Sequence, residues 1–294
     1  MKVVVAGASG FIGMALVKRL VVEDHVVVAL SRKSNVFKNL PSENLQEEIW
    51  DGQTLGPWIK HMEDADAVVN LAGEGIADKR WDLEQKRIIK GSRLGATKAV
   101  VGAIARSQKR PQVLVNASAV GYYGSAGDTE IMESSPKGKG FLADVCSDWE
   151  QEARVVEELG LRVVLLRIGV VMEKDGGALK KLMRPFRFFI GGPLGSGRQW
   201  FPWVHREDVV GAILYILKNE SLSGPVNVVA PETQTMKRPC WAPVPASVLR
   251  MSLGGEMADM LLGSQRVLPH RLLESGYTFR YPSVSDALKK ILKK

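Results

Sequence analysis

The chain opens with an apolar, β-branched run, Lys2-Val3-Val4-Val5-Ala6, and passes directly into Gly7-Ala8-Ser9-Gly10-Phe11-Ile12-Gly13. Met14 to Leu20 then shows the apolar spacing of a helix. Strand, glycine-rich turn and helix in immediate succession constrain the fold more than any other feature of the sequence. At such a helix N-terminus the first backbone N–H groups have no partner and the helix dipole favours negative charge, so a pyrophosphate is accommodated there. Gly7 is expected to permit the tight turn, Gly10 to let the backbone approach the phosphates, and Gly13 to allow close packing of helix on strand. Ser9, Phe11 and Ile12 lie between them and are expected at the same ligand. Three glycines alone are a weak signal. Their position after a strand and before an apolar-periodic helix is what gives them weight.

The first half continues in alternation. Strands are predicted at Val26 to Leu30, Ala67 to Ala72, Val113 to Ser118 and Arg162 to Ile168, and helices at Gln85 to Ser107 and Ser147 to Leu159. This order predicts an α/β fold: a Rossmann-type doubly wound parallel sheet with helices on both faces, and ligand at the C-terminal strand ends. Beyond Gly169 the pattern becomes irregular. A glycine-rich loop over 191–197, a helix at Asp208 to Leu217, a short strand at Val226 to Val229 and a proline-rich stretch from Pro239 to Pro245 follow. The reading is a dinucleotide domain over 1–170 and, over 171–294, mainly a small C-terminal substrate lobe, with segments around 203–230 returning to the sheet.

The end of the second strand selects the cofactor. Folds that bind NAD place an acid there to accept from the ribose 2′-hydroxyl. Here the strand ends Ala29-Leu30-Ser31-Arg32-Lys33, with a hydroxyl and two cations where a 2′-phosphate would lie. An acid would repel that phosphate and an arginine fork can bind it. NADP(H) is therefore expected over NAD(H). The strand ends Leu71-Ala72-Gly73-Glu74, Ala117-Ser118 and Gly169-Val170 complete the expected cofactor contacts.

A family resemblance then shows itself. The G-x-x-G-x-x-G spacing resembles the extended and atypical short-chain dehydrogenases/reductases. Asn70-Leu71-Ala72-Gly73-Glu74, Lys79-Arg80-Trp81, Gly91-Ser92-Arg93, Ser118 through Tyr122-Tyr123-Gly124, Phe141-Leu142-Ala143 with Trp149-Glu150, Phe201-Pro202-Trp203-Val204-His205 and Gln265-Arg266-Val267-Leu268-Pro269 together are similar to the "epimerase family" proteins of the atypical group. The resemblance covers nearly the whole chain. It implies an NADP(H)-binding Rossmann domain, a characteristic C-terminal segment and Arg93 as a second phosphate contact, and it names no substrate. The family carries a short helix before the Arg-Pro of the proline-rich stretch, and Ala230 to Pro239 leaves no room for it here.

Oxidoreductases of the superfamily exchange a proton through a Tyr and a Lys four residues later, with a Ser or Thr polarising the carbonyl. No Tyr-x-x-x-Lys is present. Phe141 stands in the Tyr register and Val145 in the Lys register, while counting back from Tyr123-Gly124 puts Ala119, with Ser118 one residue earlier, at the Ser position. Candidates for a substitute are Tyr123, Ser118 and Glu74. Tyr122 and Tyr123 suit either chemistry or packing and stacking. Glu74 suits a base, a ribose ligand or a helix cap. His205 suits either a general acid or a structural histidine, and Cys146 reads as a buried thiol. Two functions remain open: an NADP(H)-dependent oxidoreductase or nucleotide-sugar-epimerase-like protein acting on a small carbonyl or sugar-like compound, or a catalytically degenerate NADP(H)-binding regulator.

The net charge of +8 over 294 residues is spread along the chain, as suits attraction for an anionic ligand, and no nucleic-acid-binding module is visible. No apolar run is long enough for a membrane span and the N-terminus lacks a signal-peptide pattern. Two cysteines and four histidines, all scattered, predict neither a disulfide framework nor a metal site and point to the cytoplasm. A monomer or homodimer is expected.

Overall fold

In the computed structural model, residues 1–40, 43–77, 79–174, 176, 196–235 and 245–292 are described. Residues 191–195 of the glycine-rich loop and 236–244 of the proline-rich stretch lie outside them. The strands are β1 (Lys2–Ala6), β2 (Val26–Ser31), β3 (Leu45–Ile49), β4 (Ala67–Asn70), β5 (Val113–Ala119), β6 (Glu130–Ile131), β7 (Arg162–Ile168), β8 (Val170–Glu173), β9 (Trp200–Phe201), β10 (Trp203–His205), β11 (Gly224–Val228), β12 (Gln234–Thr235) and β13 (Arg266–Val267). The helices are α1 (Gly13–Val22), α2 (Leu83–Arg106), α3 (Phe141–Arg154), α4 (Arg206–Lys218), α5 (Ala246–Leu253), α6 (Gly255–Leu262), α7 (His270–Glu274) and α8 (Val284–Leu292).

Seven strands form one parallel sheet in the order β11-β7-β5-β4-β1-β2-β3. The chain builds outward from β1 through β2 to β3, then restarts on the other side of β1 with β4. That reversal is the switch point at which open α/β sheets bind ligand. Both faces are covered, so the central strands are continuously apolar rather than alternating. Val3, Val5, Val69 and Val115 pack on the side of α1 and α4. Val4, Val68, Leu114 and Leu165 pack on the side of α2. Each such fully buried aliphatic side chain contributes about 1.5–3 kcal/mol.

The sheet strands predicted from the sequence are all present. β3 carries no sequence signal, because Leu-Gln-Glu-Glu-Ile is a half-exposed edge strand. Helix α3 begins at Phe141 rather than at Ser147. Gly140, at φ +106°, ends the preceding loop and lets the helix start at once.

The other described strands form two-stranded pairs outside this sheet. β8 pairs with β10, β12 with β9, and β13 with β6. Asp208 fastens the C-terminal segment to α4: its carboxylate accepts the backbone N–H groups of Arg280 at 2.6 Å and Tyr281 at 3.0 Å. His205 caps α4, its Nδ1 accepting from Glu207 N at 3.1 Å, and stacks on Tyr281. It is fully buried, and burial lowers its pKa. Its Nδ1 is thus used in the helix cap, as the structural reading of the sequence would have it, while Nε2 lies 3.8 Å from Glu173.

Candidate functional site

The glycine turn is held by the strand beside it. Gly7 N and Ala8 N both donate to Leu30 O, at 3.2 and 3.1 Å, and Gly10 N returns to Gly7 O at 3.0 Å. Gly7 has φ +76°, and a Cβ on it would lie 2.8 Å from the Leu71–Ala72 backbone. On Gly13 a Cβ would collide with Gly7 O and come within 2.8 Å of Ala8 O. At Gly10 it would meet only Gly7 O, at 3.1 Å, with its other side open. Gly7 and Gly13 thus set the turn against β4 and α1, and Gly10 leaves the outer surface bare. Helix α1 has no side-chain cap and no acid in its first turn. No side chain therefore blocks that end to an anion, although Met14 N is already bonded to Gly10 O at 2.9 Å.

β4 ends against this turn. Asn70 and Asn116, both fully buried, link β4 to β5 by a 2.7 Å bond, and Asn70 Nδ2 also donates to Thr97 on α2 at 3.0 Å. Asn70 Oδ1 accepts Ala72 N, which turns the chain outward toward Gly73 and Glu74. The Gly91-Ser92-Arg93 motif secures that turn: Ser92 Oγ accepts Glu74 N at 3.0 Å, and Arg93 packs so closely on Gly73 that a Cβ there would meet its Cγ at 3.2 Å. The Arg93 guanidinium also lies over the Trp149 ring, 5.2 Å from its centre. Burial lowers its pKa, opposed by Cys146 and Glu74. A poorly solvated cation of this kind attracts an anion strongly.

The predicted cofactor residues fall into two sets. Ser9, Gly10, Phe11, Ile12, Arg32, Lys33, Leu71, Gly73, Glu74, Arg93, Gly169 and Val170 keep exposed surface along the C-terminal edge of the sheet, as Gly7 does in part. Ser31, Ala72, Ala117, Ser118 and Gly13 are buried and shape the floor. Ser31 Oγ is spent on the backbone of Lys33, fixing the turn that carries both cations. Gly169 lies within 2.8 Å, measured from a built Cβ, of Val229 Cγ1. Arg206, which the sequence did not single out, sets its guanidinium over the Phe11 ring, 4.8 Å from the centre, and pairs with Glu173 at 3.2 Å. Only the folded sheet brings α4 to the glycine turn.

At the other end of the groove, the three positions of the usual relay are apolar. Ala119 is half-buried, Val145 is buried, and Phe141 stacks edge-on against Trp81 with ring centres 5.5 Å apart. The Lys86 ammonium stands 5.4 Å from the Phe141 ring centre and pairs with Glu256 of α6.

The two hydroxyl candidates are buried and hydrogen-bonded. Ser118 points under α3 and donates to Glu150 Oε1 at 2.7 Å. Tyr123 is buried, donates to Asn227 Oδ1 at 2.6 Å and accepts from Arg167 Nη1 at 3.0 Å. Burial pushes its pKa up to about 12, against the pull of Arg167. Arg167 joins the two by a two-pronged ion pair with Glu150, both bonds 2.8 Å. Tyr122 stacks on that guanidinium, its ring centre 3.5 Å from Cζ. Ser118, Arg167 and Asn227 are register partners on β5, β7 and β11, which is why one face of the sheet collects them. The hydroxyls of Ser118 and Tyr123 are thus both engaged in one buried network. Cys146 is likewise buried, its pKa raised to about 11 by desolvation first and by Glu150 next.

Comparison with known proteins places this geometry. A model of the NAD dependent epimerase/dehydratase family matches residues 3–230, and a domain of unknown function (DUF1731) matches residues 244–291. An Arabidopsis thaliana protein named as a chloroplastic epimerase family protein SDR39U1 homolog is 42% identical over 306 residues, covering 99% of this chain and 87% of the relative. The crystal structure of human epimerase family protein SDR39U1 (isoform 2) with NADPH superposes with a TM-score of 0.86 at 34% identity, covering 99% of each chain. A nucleoside-diphosphate sugar epimerase from Corynebacterium glutamicum gives a TM-score of 0.79 at 31% identity, covering 99% of this chain and 58% of that one. The chain belongs to the NAD dependent epimerase/dehydratase family.

Proposed function

We propose that this family member binds NADP(H) along the C-terminal edge of β1, β2 and β4, and works as an NADP(H)-dependent oxidoreductase or nucleotide-sugar-epimerase-like protein on a small carbonyl or sugar-like compound. The observation that carries the reading is the uncapped N-terminus of α1, cradled by glycines at positions a Cβ would fill, with Arg32 and Lys33 at the 2′ end of the groove. The residues present fit the group: a helix N-terminus without a side-chain cap for the pyrophosphate, cations for a further phosphate, and acceptors at Glu74 for a ribose. The NADPH in the human relative supports the same cofactor. When bound, NADP(H) supplies or accepts a hydride. The chain orients it and keeps the apolar Phe141 and Val145 where the usual phenol and ammonium stand.

A second reading, an NADP(H)-binding regulator without turnover, draws on one observation. Ala119, Phe141 and Val145 replace all three relay groups, and the nearby hydroxyls of Ser118 and Tyr123 are committed elsewhere. Among the described residues no helix is long and apolar enough to cross a membrane. With the sparse cysteines this suits the cytoplasm, and a monomer or homodimer whose ligands are small molecules rather than nucleic acid.

Calorimetric titration with NADPH and NADH tests the cofactor. A preference of at least tenfold for NADPH, about 1.4 kcal/mol, is expected. Equal affinities, or an Arg32→Ala variant that keeps the preference, would remove the reading. NADPH oxidation against a carbonyl panel then separates the two functions: turnover supports the first, and tight binding with none supports the second.

A further inference from the structure

The end of β2 carries no acid in sequence, yet the fold brings one there. Ala6 of β1 pairs with Leu30 of β2 on one side and with Asn70 of β4 on the other, so the loops leaving β2 and β4 face each other across the groove. Glu74, on the second loop, sets its carboxylate 4.0 Å from Arg32 Nη2. The two groups differ in freedom. The Glu74 backbone is tied to Ser92, and the neighbouring Gly73 is clamped by Arg93. The Arg32 side chain is 73% exposed and can swing.

We infer that Glu74 sets the strength of the NADP(H) preference, by competing with the 2′-phosphate for Arg32 and by accepting the 2′-hydroxyl when the phosphate is missing. The inference rests on the proposed dinucleotide site. An exposed ion pair is weak, so a dianionic phosphate draws Arg32 away from the carboxylate. The phosphate then lies beside the Glu74 charge, and that repulsion offsets part of what Arg32 contributes. With NAD(H) the same carboxylate does what an acid at the end of β2 does in NAD-type sites: it accepts from the ribose. In the first case Arg32 leaves Glu74 for the phosphate, and in the second it stays beside Glu74 and competes with the ribose for the carboxylate. One groove therefore holds the recognition element for each cofactor, and the balance between them is the specificity.

The test is calorimetric titration of the full chain with NADPH and NADH, in wild type, Glu74→Gln, Arg32→Ala and the double variant, with thermal melting of each as a control for folding. Glu74→Gln keeps the size and removes the charge. It should tighten NADPH by about threefold to tenfold and leave NADH unchanged or weaker. Arg32→Ala should invert the preference rather than merely abolish it, because Glu74 is then unscreened. The double variant should bind both dinucleotides within about threefold of each other. If wild type prefers NADPH but Glu74→Gln leaves both affinities unchanged, or Arg32→Ala loses the NADPH preference without coming to favour NADH, the assignment of Glu74 is overturned while the proposed cofactor site stands; an Arg32→Ala variant that keeps the NADPH preference removes both. If wild type binds neither dinucleotide, the site and this inference fall together.

Discussion

Replacing Arg167 by Met tests the buried network that engages Ser118 and Tyr123. The Arg167 side chain is 3% exposed and that of Glu150 6%. Arg167 makes four hydrogen bonds: two of 2.8 Å to the Glu150 oxygens, one of 3.0 Å to Tyr123 and one of 3.2 Å to Glu133 O. Burial opposes its charge, but the Glu150 carboxylate outweighs that and raises its pKa. Methionine fills most of the volume and removes the cation, leaving the buried Glu150 carboxylate with the neutral Ser118 hydroxyl as its donor and, among the described residues, no countercharge. Breaking one side of a buried pair in this way costs about 3–5 kcal/mol. Over 294 residues the unfolding entropy is about 0.6 kcal/mol per kelvin, so a loss of about 4 kcal/mol lowers Tm by roughly 6 °C. Removing both charges with Arg167→Met/Glu150→Leu should recover most of that loss, since a packed apolar pair is often as stable as a buried ionic one. Urea unfolding of the two single variants, the double and the wild type gives the coupling directly. A loss under about 1 kcal/mol for Arg167→Met, or a double variant as unstable as the sum of the singles, would refute a tightly coupled network.

Gly13→Ala forces a Cβ against the Gly7 and Ala8 backbone, neither of which can yield without opening the turn. It should cost about 1–3 kcal/mol in urea unfolding and weaken NADPH by more than tenfold in titration, and wild-type affinity would contradict the cradle. Restoring the relay with Phe141→Tyr/Val145→Lys should not yield a working dehydrogenase. Val145 is 2% exposed, so the new ammonium is buried without a built partner, and Ala119 still lacks the polarising hydroxyl. Ordinary turnover of simple ketones by that double variant would show an otherwise intact catalytic site. Acid should destabilise the fold through carboxylates whose pKa values are lowered: Glu48 by the His61 hydrogen bond, and Asp51 by the Thr54 hydroxyl and nearby N–H groups. Their stabilisation is present above the ordinary values of 4.5 and 3.8 and is lost as pH falls through the lower folded values, so Tm should drop below pH 4.5, and Glu48→Gln should flatten the drop.

Local pattern alone determined a good deal of this protein. β-Branched runs separated by apolar-periodic stretches marked six of the seven sheet strands, all but β3, together with α1, α2 and α4, because those signals arise between residues at most four apart. Gly7-Ala8-Ser9-Gly10-Phe11-Ile12-Gly13 located the cofactor turn for the same reason. The apolar Phe141 and Val145 in the expected relay register were equally legible in the sequence. What Ser118, Tyr123 and Glu74 do was decided only by the tertiary structure. Ser118 and Ala119 are adjacent, and strand alternation sends the first under α3 to Glu150 while the second stands in the relay register. Tyr123 meets Asn227 across 104 residues, and Arg206 reaches Phe11 by way of α4. Glu74 reaches Arg32 because β2 and β4 flank the same strand. Such partners are set by the order of strands in the sheet, and that order is an outcome of packing the whole chain, which no window along the sequence contains.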